Sequence, residues 1–350
     1  MTDCLSDIKA RLQGPLKELA IEWGPMPLGA TSVHSLLGGE DAALERLTHF
    51  IERGIATAYH ETRNGLLGTD SSSKLSAYLA LGCITARQVH AELVKLEDGI
   101  DEKYAKASGY GEGETRGSAA VRYELLWRDY MRLSAIKYGN KLFHLHGFKE
   151  GSGYEKPWLT PNAREAAPGQ NPSPQRVAQM IERLIKGTTG MGLIDASQRE
   201  LFHTGFTSNR ARQNVASFLA KHLSIDWRIG AEWYECLLVD YDPASNWANW
   251  QYVAGVGNDP RDKRVFNPVK QAHDYDNQGE YVRGWLPELR EISDLSNVFQ
   301  VCTTPAGELH RAGLMANEMV VDPLKRIHFT INHKRQRNWS KRGNHGNRVH

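Results

Sequence analysis

Apolar residues recur every three or four positions along almost the whole chain, and strand-like alternation is scarce. That periodicity is the tightest constraint on the fold, because it can bury an apolar face only as helices. In 41–60, DAALERLTHFIERGIATAYH, it puts Leu44, Leu47, Ile51 and Ile55 on one stripe. Thr85 is placed to cap a helix through Val89, Leu93 and Leu96, and Ser118 to open a long helix over 118–138. The same reading predicts helices at 174–186, 195–205, 209–222, 230–239 and 279–290. No βαβ pattern and no strand–GxGxxG–helix occurs, and the glycines of 108–118 follow no strand, so they are read as a loop. The Pro/Gly-rich breaks at 147–174 and 255–268 are also expected to be loops. The fold class is therefore all-α. A lead-in is expected over 1–40, a multi-helix body over 41–290, and a loosely ordered basic end over 291–350.

Composition fits a body with a sizeable core: 350 residues, 40% hydrophobic, with 9 Trp, 13 Tyr and 9 Phe. No apolar run reaches the length of a membrane span, and the start, MTDCLSDIKARLQG, lacks the apolar segment of a signal peptide. An intracellular, unsecreted protein is expected, with its compartment left open. Cys4, Cys83, Cys236 and Cys302 form no CxxC and suit reduced thiols. His144 and His146 have no third ligand at metal spacing, so no metal is expected. The net charge of +2 is unevenly spread. Eight of the 43 Lys+Arg residues fall in 325–350 with no acid, leaving 35 basic against 41 acidic residues elsewhere. Such an end can meet nucleic-acid phosphates, RNA included, or simply solubilise the chain.

Three constellations carry chemistry. In GTDSSSKLSAYLALG (68–82), Ser71, Ser72, Ser73 and Ser76 surround Lys74 where a helix is expected to begin. Free N–H groups, hydroxyls and an ammonium suit a phosphate; the alternative is a serine-capped helix with a surface lysine. In YELLWRDY (123–130), Glu124, Trp127 and Arg128 share a helix face and can grip a flat polar ligand, or form an ordinary ion pair beside a core ring. Residues 205–257 lodge Asn209, Arg210, Arg212, Asp240, Asp242 and Asn246 among Trp227, Trp233, Trp247 and Trp250. A core explains the rings but not the ionisable groups between them, which need partners. Asp240 is placed to pair with Arg212, and Asn246 and Trp250 share a face. On the residues alone, Trp227, Trp250 and Trp158 read first as core residues.

Together these segments resemble the flavin-binding helical domain of the photolyase/cryptochrome family, and most of all its DASH branch. The resemblance runs from about residue 38 to 290. It rests on YHETRNGLLG (59–68), SSKLSAYLALGCIT (72–85), ELLWRDYMR (124–132), AIKYGN (135–140), LIDA (193–196), TGFTSNRARQ (204–213), DWRIGAEWYE (226–235), DYDPASNWANWQY (240–252), GVGNDPR (255–261) and FNPVKQAHDYDNQGEYVRGWLPEL (266–289). It implies FAD inside a helical bundle. Tyr59, Ser72, Ser73, Lys74, Leu75 and Ser76 would line the phosphates and ribityl chain, and Asn209, Arg212, Asp240 and Asp242 would surround the ring systems. Asn246 would face the flavin N5.

The implied activity is blue-light-driven repair of cyclobutane pyrimidine dimers by electron transfer from reduced flavin, with single-stranded DNA preferred. Glu124 would contact the dimer, and Trp127 and Tyr252 would pack on the flipped bases. Arg63, Arg128, Arg210 and Arg264 would hold the DNA backbone. Trp250, Trp227 and Trp158 would relay electrons. A blue-light receptor that binds nucleic acid without repair, or an inactive truncated fragment, are the alternatives; a monomer is expected. The family's N-terminal α/β antenna domain has no counterpart here, so no antenna folate is expected. Ser71, the GMGLIDA segment (190–196) and Trp247 depart from the family pattern.

Overall fold

The computed structural model describes residues 25–32, 37–151, 156–261 and 264–328, with a few positions before residue 12. Fifteen α-helices lie within these residues, labelled here in chain order: α1 (Glu40–Glu52), α2 (Ile55–Thr62), α3 (Ser76–Ala80), α4 (Ala86–Glu97), α5 (Arg116–Tyr138), α6 (Pro174–Lys186), α7 (Gly192–Thr204), α8 (Asn209–Ser217), α9 (Trp227–Leu237), α10 (Pro243–Ala254), α11 (Pro268–Tyr275), α12 (Glu280–Trp285), α13 (Leu295–Phe299), α14 (Ala306–Arg311) and α15 (Glu318–Val321). Among the described residues no strand forms; two isolated bridges join Leu159 to Ile225 and Met191 to Gln300. No described helix is long and apolar enough to cross a membrane.

Local chemistry sets the boundaries. The single helix expected over 41–60 is broken at Gly54, whose φ of 71° only glycine adopts without strain. Thr85 caps α4 through a complete capping box with Gln88. Thr115, not Ser118, caps α5; Ser118 sits at N3 and its hydroxyl accepts from the Thr115 N–H at 3.0 Å. The 174–186 helix forms as predicted, opened by Ser173 and Pro174 and closed by Gly187 in the left-handed region. α8 ends in a π turn over 218–222, and the helix expected over 279–290 gives way to a 3₁₀ turn at Pro287.

Two apolar cores result. The smaller gathers Leu47, Phe50, Ile51, Tyr59, Tyr78, Val89, Leu93 and Tyr104 from α1–α4 and the following turn. The larger gathers α6–α12, with Phe218, Trp227, Tyr234, Trp250, Tyr281 and Trp285. α5 belongs to both, giving Val121 to the first and Met131 to the second. A Cβ at Gly117 would collide with the Thr57 carbonyl, so this glycine lets α5 lie directly against α2.

The segment from 291 to 328, expected to be loosely ordered, instead forms α13–α15. Val298, Phe299, Leu309, Leu314 and Met319 enter the larger core. Arg183, almost wholly buried, ties it down by ion pairs to Glu318 and Asp322. The short apolar runs of this region are too brief to show a helical period, and only packing reveals them. The basic residues from Lys334 onward lie outside the described residues.

Candidate functional site

A cavity of about 300 Å³ opens between α5, α8, α9, α10 and the turn that follows α10. Eleven of the residues singled out above line it: Arg63, Glu124, Trp127, Asn209, Arg212, Asp240, Asp242, Asn246, Trp250, Tyr252 and Arg264. They come from segments up to two hundred residues apart, so the fold, not sequence proximity, assembles the site.

At its base Arg212 pairs with Asp240 at 2.9 Å, while its Nε donates to the Thr207 carbonyl at 2.9 Å. Asp240 Oδ2 takes the guanidinium; Oδ1 is buried and has no partner. The Tyr234 hydroxyl, also buried and lining the cavity, has none either. Orphaned buried polar atoms facing a cavity are costly unless a ligand satisfies them. Asp242 is differently employed. It caps α10 by accepting from the Ser245 N–H at 2.8 Å and pairs with Arg132 at 2.8 Å. Burial alone would raise its pKa, but the Arg132 and Ser245 hydrogen bonds outweigh this and hold it below the usual value.

One wall is aromatic. Trp127 meets Tyr123, Tyr130 and Tyr252 at centroid separations of 6.3, 5.2 and 5.5 Å. Glu124 faces the same space and pairs with Arg63 at 2.5 Å. On the opposite side Asn246 donates to the Ala231 carbonyl at 2.9 Å. Trp250 stands edge-on to Tyr234 at 5.2 Å, and a Cβ at Gly230 would strike its ring.

The phosphate-site residues do not line this cavity. Tyr59 packs edge-on against Phe50 in the smaller core, and burial pushes its hydroxyl pKa up to about 12. α3 is only five residues long and has no side-chain cap. Lys74, expected to offer its ammonium to an anion, turns inward instead. Its φ is 56°, its Nζ lies 4.9 Å over the Phe206 ring, and burial lowers its pKa to about 8 against the pull of Glu200. Leu75 is in the smaller core. The carbonyls of Ser72 and Ser73 are held by Arg46 at 3.1 and 2.9 Å, and Ser76 is exposed at the start of α3. Arg46 was not anticipated, and its position in α1 gives no sign that it clasps a loop 27 residues away.

Two of the four expected backbone-gripping arginines do not line the cavity and brace the fold instead. Arg128 donates to the Leu79 carbonyl at 3.1 Å. Arg210 donates to Asn64 at 2.7 Å and lies 4.7 Å over Tyr275. Arg63 and Arg264 remain at the cavity mouth, joined by Arg261, whose guanidinium reaches the Tyr252 hydroxyl at 3.1 Å. Arg132 was also missed, although it follows Arg128 by one helical turn. Trp227 is fully buried and donates its N–H to the Leu145 carbonyl at 3.0 Å. Trp158 is half-buried; backbone hydrogen bonds from Leu159 to Ser224 and from Asp226 to Leu159 hold its loop against the start of α9, where Trp227 sits.

The fold and the cavity define a helical flavoprotein domain of the photolyase/cryptochrome family, and the chain belongs to that family: the family model of the FAD binding domain of DNA photolyase matches residues 121–339. Among curated relatives, a Gibberella zeae protein named for cryptochrome DASH is 55% identical, covering 98% of this chain and 50% of its own length. A cryptochrome DASH of Danio rerio is 45% identical, over 78% of this chain and 49% of its own. Among solved structures, a Synechocystis cryptochrome superposes with a TM-score of 0.69 at 41% identity, over 84% of this chain and 54% of the other. The chain thus spans about half the length of the relatives it matches.

Proposed function

We propose that this chain is the helical part of a FAD-dependent, blue-light-driven protein of DASH type that repairs cyclobutane pyrimidine dimers in single-stranded DNA. The observation that carries the reading is the cavity, where Glu124 and an aromatic wall stand opposite a buried base with an unsatisfied carboxylate oxygen. A flavin's pyrimidine edge carries an N–H donor and carbonyl acceptors. Asp240 Oδ1 and the Arg212 guanidinium match that set, so the residues fit the cofactor. FAD, when bound, supplies blue-light absorption and one-electron transfer.

The remaining work falls to side chains. Arg212 and Asp240 hold each other in place and so fix the orientation of a bound ring. Asn246, pinned by its bond to Ala231, presents its amide along the opposite side. The rings of Trp250 and Tyr234 close the inner end and exclude water, leaving the Tyr234 hydroxyl to a polar atom of the ligand. At the mouth, Trp127 and Tyr252 offer flat faces on which unstacked bases rest, worth about 1–3 kcal/mol per base in single-strand binding. Glu124 hydrogen-bonds base edges after exchanging Arg63, a partly exposed pair whose loss costs little, about 0–1 kcal/mol. Arg63 is then released to meet a phosphate, beside the exposed Arg261 and Arg264. A single strand suits such a site because no base pair must be broken to present the lesion. Trp250 and Trp227 lead away from the cavity into the core as an electron path.

The test is blue-light repair of a thymine-dimer-bearing single-stranded oligonucleotide by the purified chain loaded with reduced FAD. Repair is expected, and Glu124→Ala should abolish most of it while leaving the flavin absorbance unchanged. Full flavin loading with no repair in the parent protein would refute repair. A second reading, a light receptor without repair, draws on the buried tryptophans behind the cavity; it predicts normal photoreduction in that same outcome.

A further inference from the structure

We propose that Trp247 is where an oxidising equivalent passed outward from Trp227 comes to rest, and that Glu235 takes up its indole proton. The inference rests on the reading of the cavity as a flavin site served by Trp250 and Trp227.

Trp247 sits on α10 three residues before Trp250, one turn away on the same helix. Its ring meets Trp227 edge-to-face at 5.8 Å. Trp227 therefore has two indole neighbours beyond the cavity: Trp247 in direct ring contact, and Trp158 across the bridged backbone at the start of α9.

The surroundings of the three indoles differ in the property that matters. Removing an electron from an indole leaves a cation whose N–H is strongly acidic. The resting place is the ring with a negative charge nearby and a base on its nitrogen. The Trp227 N–H donates to the Leu145 carbonyl, and a neutral peptide oxygen does not take a proton. The Trp158 N–H is buried with no partner. The Lys156 ammonium lies 4.0 Å over that ring, held there by donating to the Ala220 carbonyl at 2.7 Å. A cation so close opposes a second positive charge. Trp247 alone donates to a carboxylate, Glu235 Oε2, at 2.8 Å. Its ring is buried while Glu235 is exposed, so the proton has a route to water and the ring is shielded from it.

One electron leaves Trp250 for a photoexcited, oxidised flavin, the oxidant of the sequence. Trp227 refills Trp250, and Trp247 refills Trp227. The Nε1–H bond of Trp247 then breaks and its proton passes to Glu235 Oε2, leaving a neutral indolyl radical and a carboxylic acid. An external thiolate returns the electron, leaving as a thiyl radical that couples to a disulfide, and Glu235 returns the proton to the indole nitrogen.

Transient absorption of the FAD-loaded chain tests this, because neutral and cationic indole radicals have distinct spectra. The parent and Trp158→Phe proteins should give the neutral radical with equal yield and lifetime. Glu235→Gln should keep the radical cationic and shorten its life several-fold. Trp247→Phe should remove the neutral species. As a readout without cofactor, the apo chain oxidised by azidyl radicals should accumulate oxidised indole at Trp247 over Trp158, and less so in Glu235→Gln. Parent-like behaviour of both Trp247→Phe and Glu235→Gln, with loss in Trp158→Phe, would overturn the proposal. Trp250→Phe separates the two failures: if it leaves photoreduction intact, the relay reading itself is wrong.

Discussion

Replacing Arg212 by Ala tests the base of the cavity most directly. Asp240 keeps only 4% of its side chain exposed, and Arg212 keeps 25%. One Asp240 oxygen already lacks a partner. Without Arg212 the carboxylate is left buried with neither oxygen satisfied. Breaking a buried pair from one side costs about 3–5 kcal/mol, and the partial exposure of Arg212 puts this case near the lower end, about 3 kcal/mol. The reverse deletion is milder. In Asp240→Ala the guanidinium keeps the Thr207 carbonyl at 2.9 Å and its access to the cavity, so about 1–2 kcal/mol is expected. The double variant should be more stable than Arg212→Ala alone, because it removes the orphaned charge. Urea unfolding of the cofactor-free chain, read by Trp fluorescence, measures all three. Both single variants should also bind FAD more weakly. A cost below about 1 kcal/mol for Arg212→Ala, or a larger cost for Asp240→Ala, would refute the argument that Asp240 is held as a buried charge.

Three further outcomes are expected. Burial raises the Glu200 pKa from 4.5 to about 7, against the Tyr281 hydroxyl that donates to it at 2.7 Å. The native state then binds more protons than the unfolded chain between pH 4.5 and 7, so stability is fullest below that window and falls as pH rises through it, by about 3 kcal/mol at most; Glu200→Gln should flatten the pH profile in urea titrations, and an unchanged profile would assign the slope elsewhere. Gly230→Ala gains helix propensity but drives a methyl into the Trp250 ring, and overpacking of about 1–3 kcal/mol should win, lowering Tm and FAD retention together; a rise in Tm would contradict the packing. Thr115→Ala removes the capping box of α5 and should cost about 1 kcal/mol in urea unfolding while FAD affinity stays unchanged.

The pattern of success and error along the chain has physical causes. The long helices were legible because their apolar stripes extend over three or more turns, as in 174–186. The break at Gly54 was not, because the stripe of Leu47, Ile51 and Ile55 continues through it. The pairing of Arg212 with Asp240 was anticipated from residue types, and so was the convergence of Glu124, Trp127, Asn246 and Trp250 implied by the family resemblance. The inward turn of Lys74 was not. A lysine among serines looks like an anion site, and only Phe206 and Glu200, more than a hundred residues later, make a buried position tolerable for it.

By itself, the sequence determined an all-helical body, the Thr85 cap of α4, and the stretch in which polar groups sit among tryptophans. Each depends on spacing within a helix or on a backbone group a few residues away, and such interactions are local. The tertiary structure decided which arginines face the cavity and which brace the fold. It also decided that 291–328 packs into the core, and that Trp247, unexplained by the family pattern, lies against Trp227 with its N–H on Glu235. Those outcomes depend on which distant surfaces meet, and a guanidinium or an indole has the same local signature whether its partner is a carbonyl, a carboxylate or water.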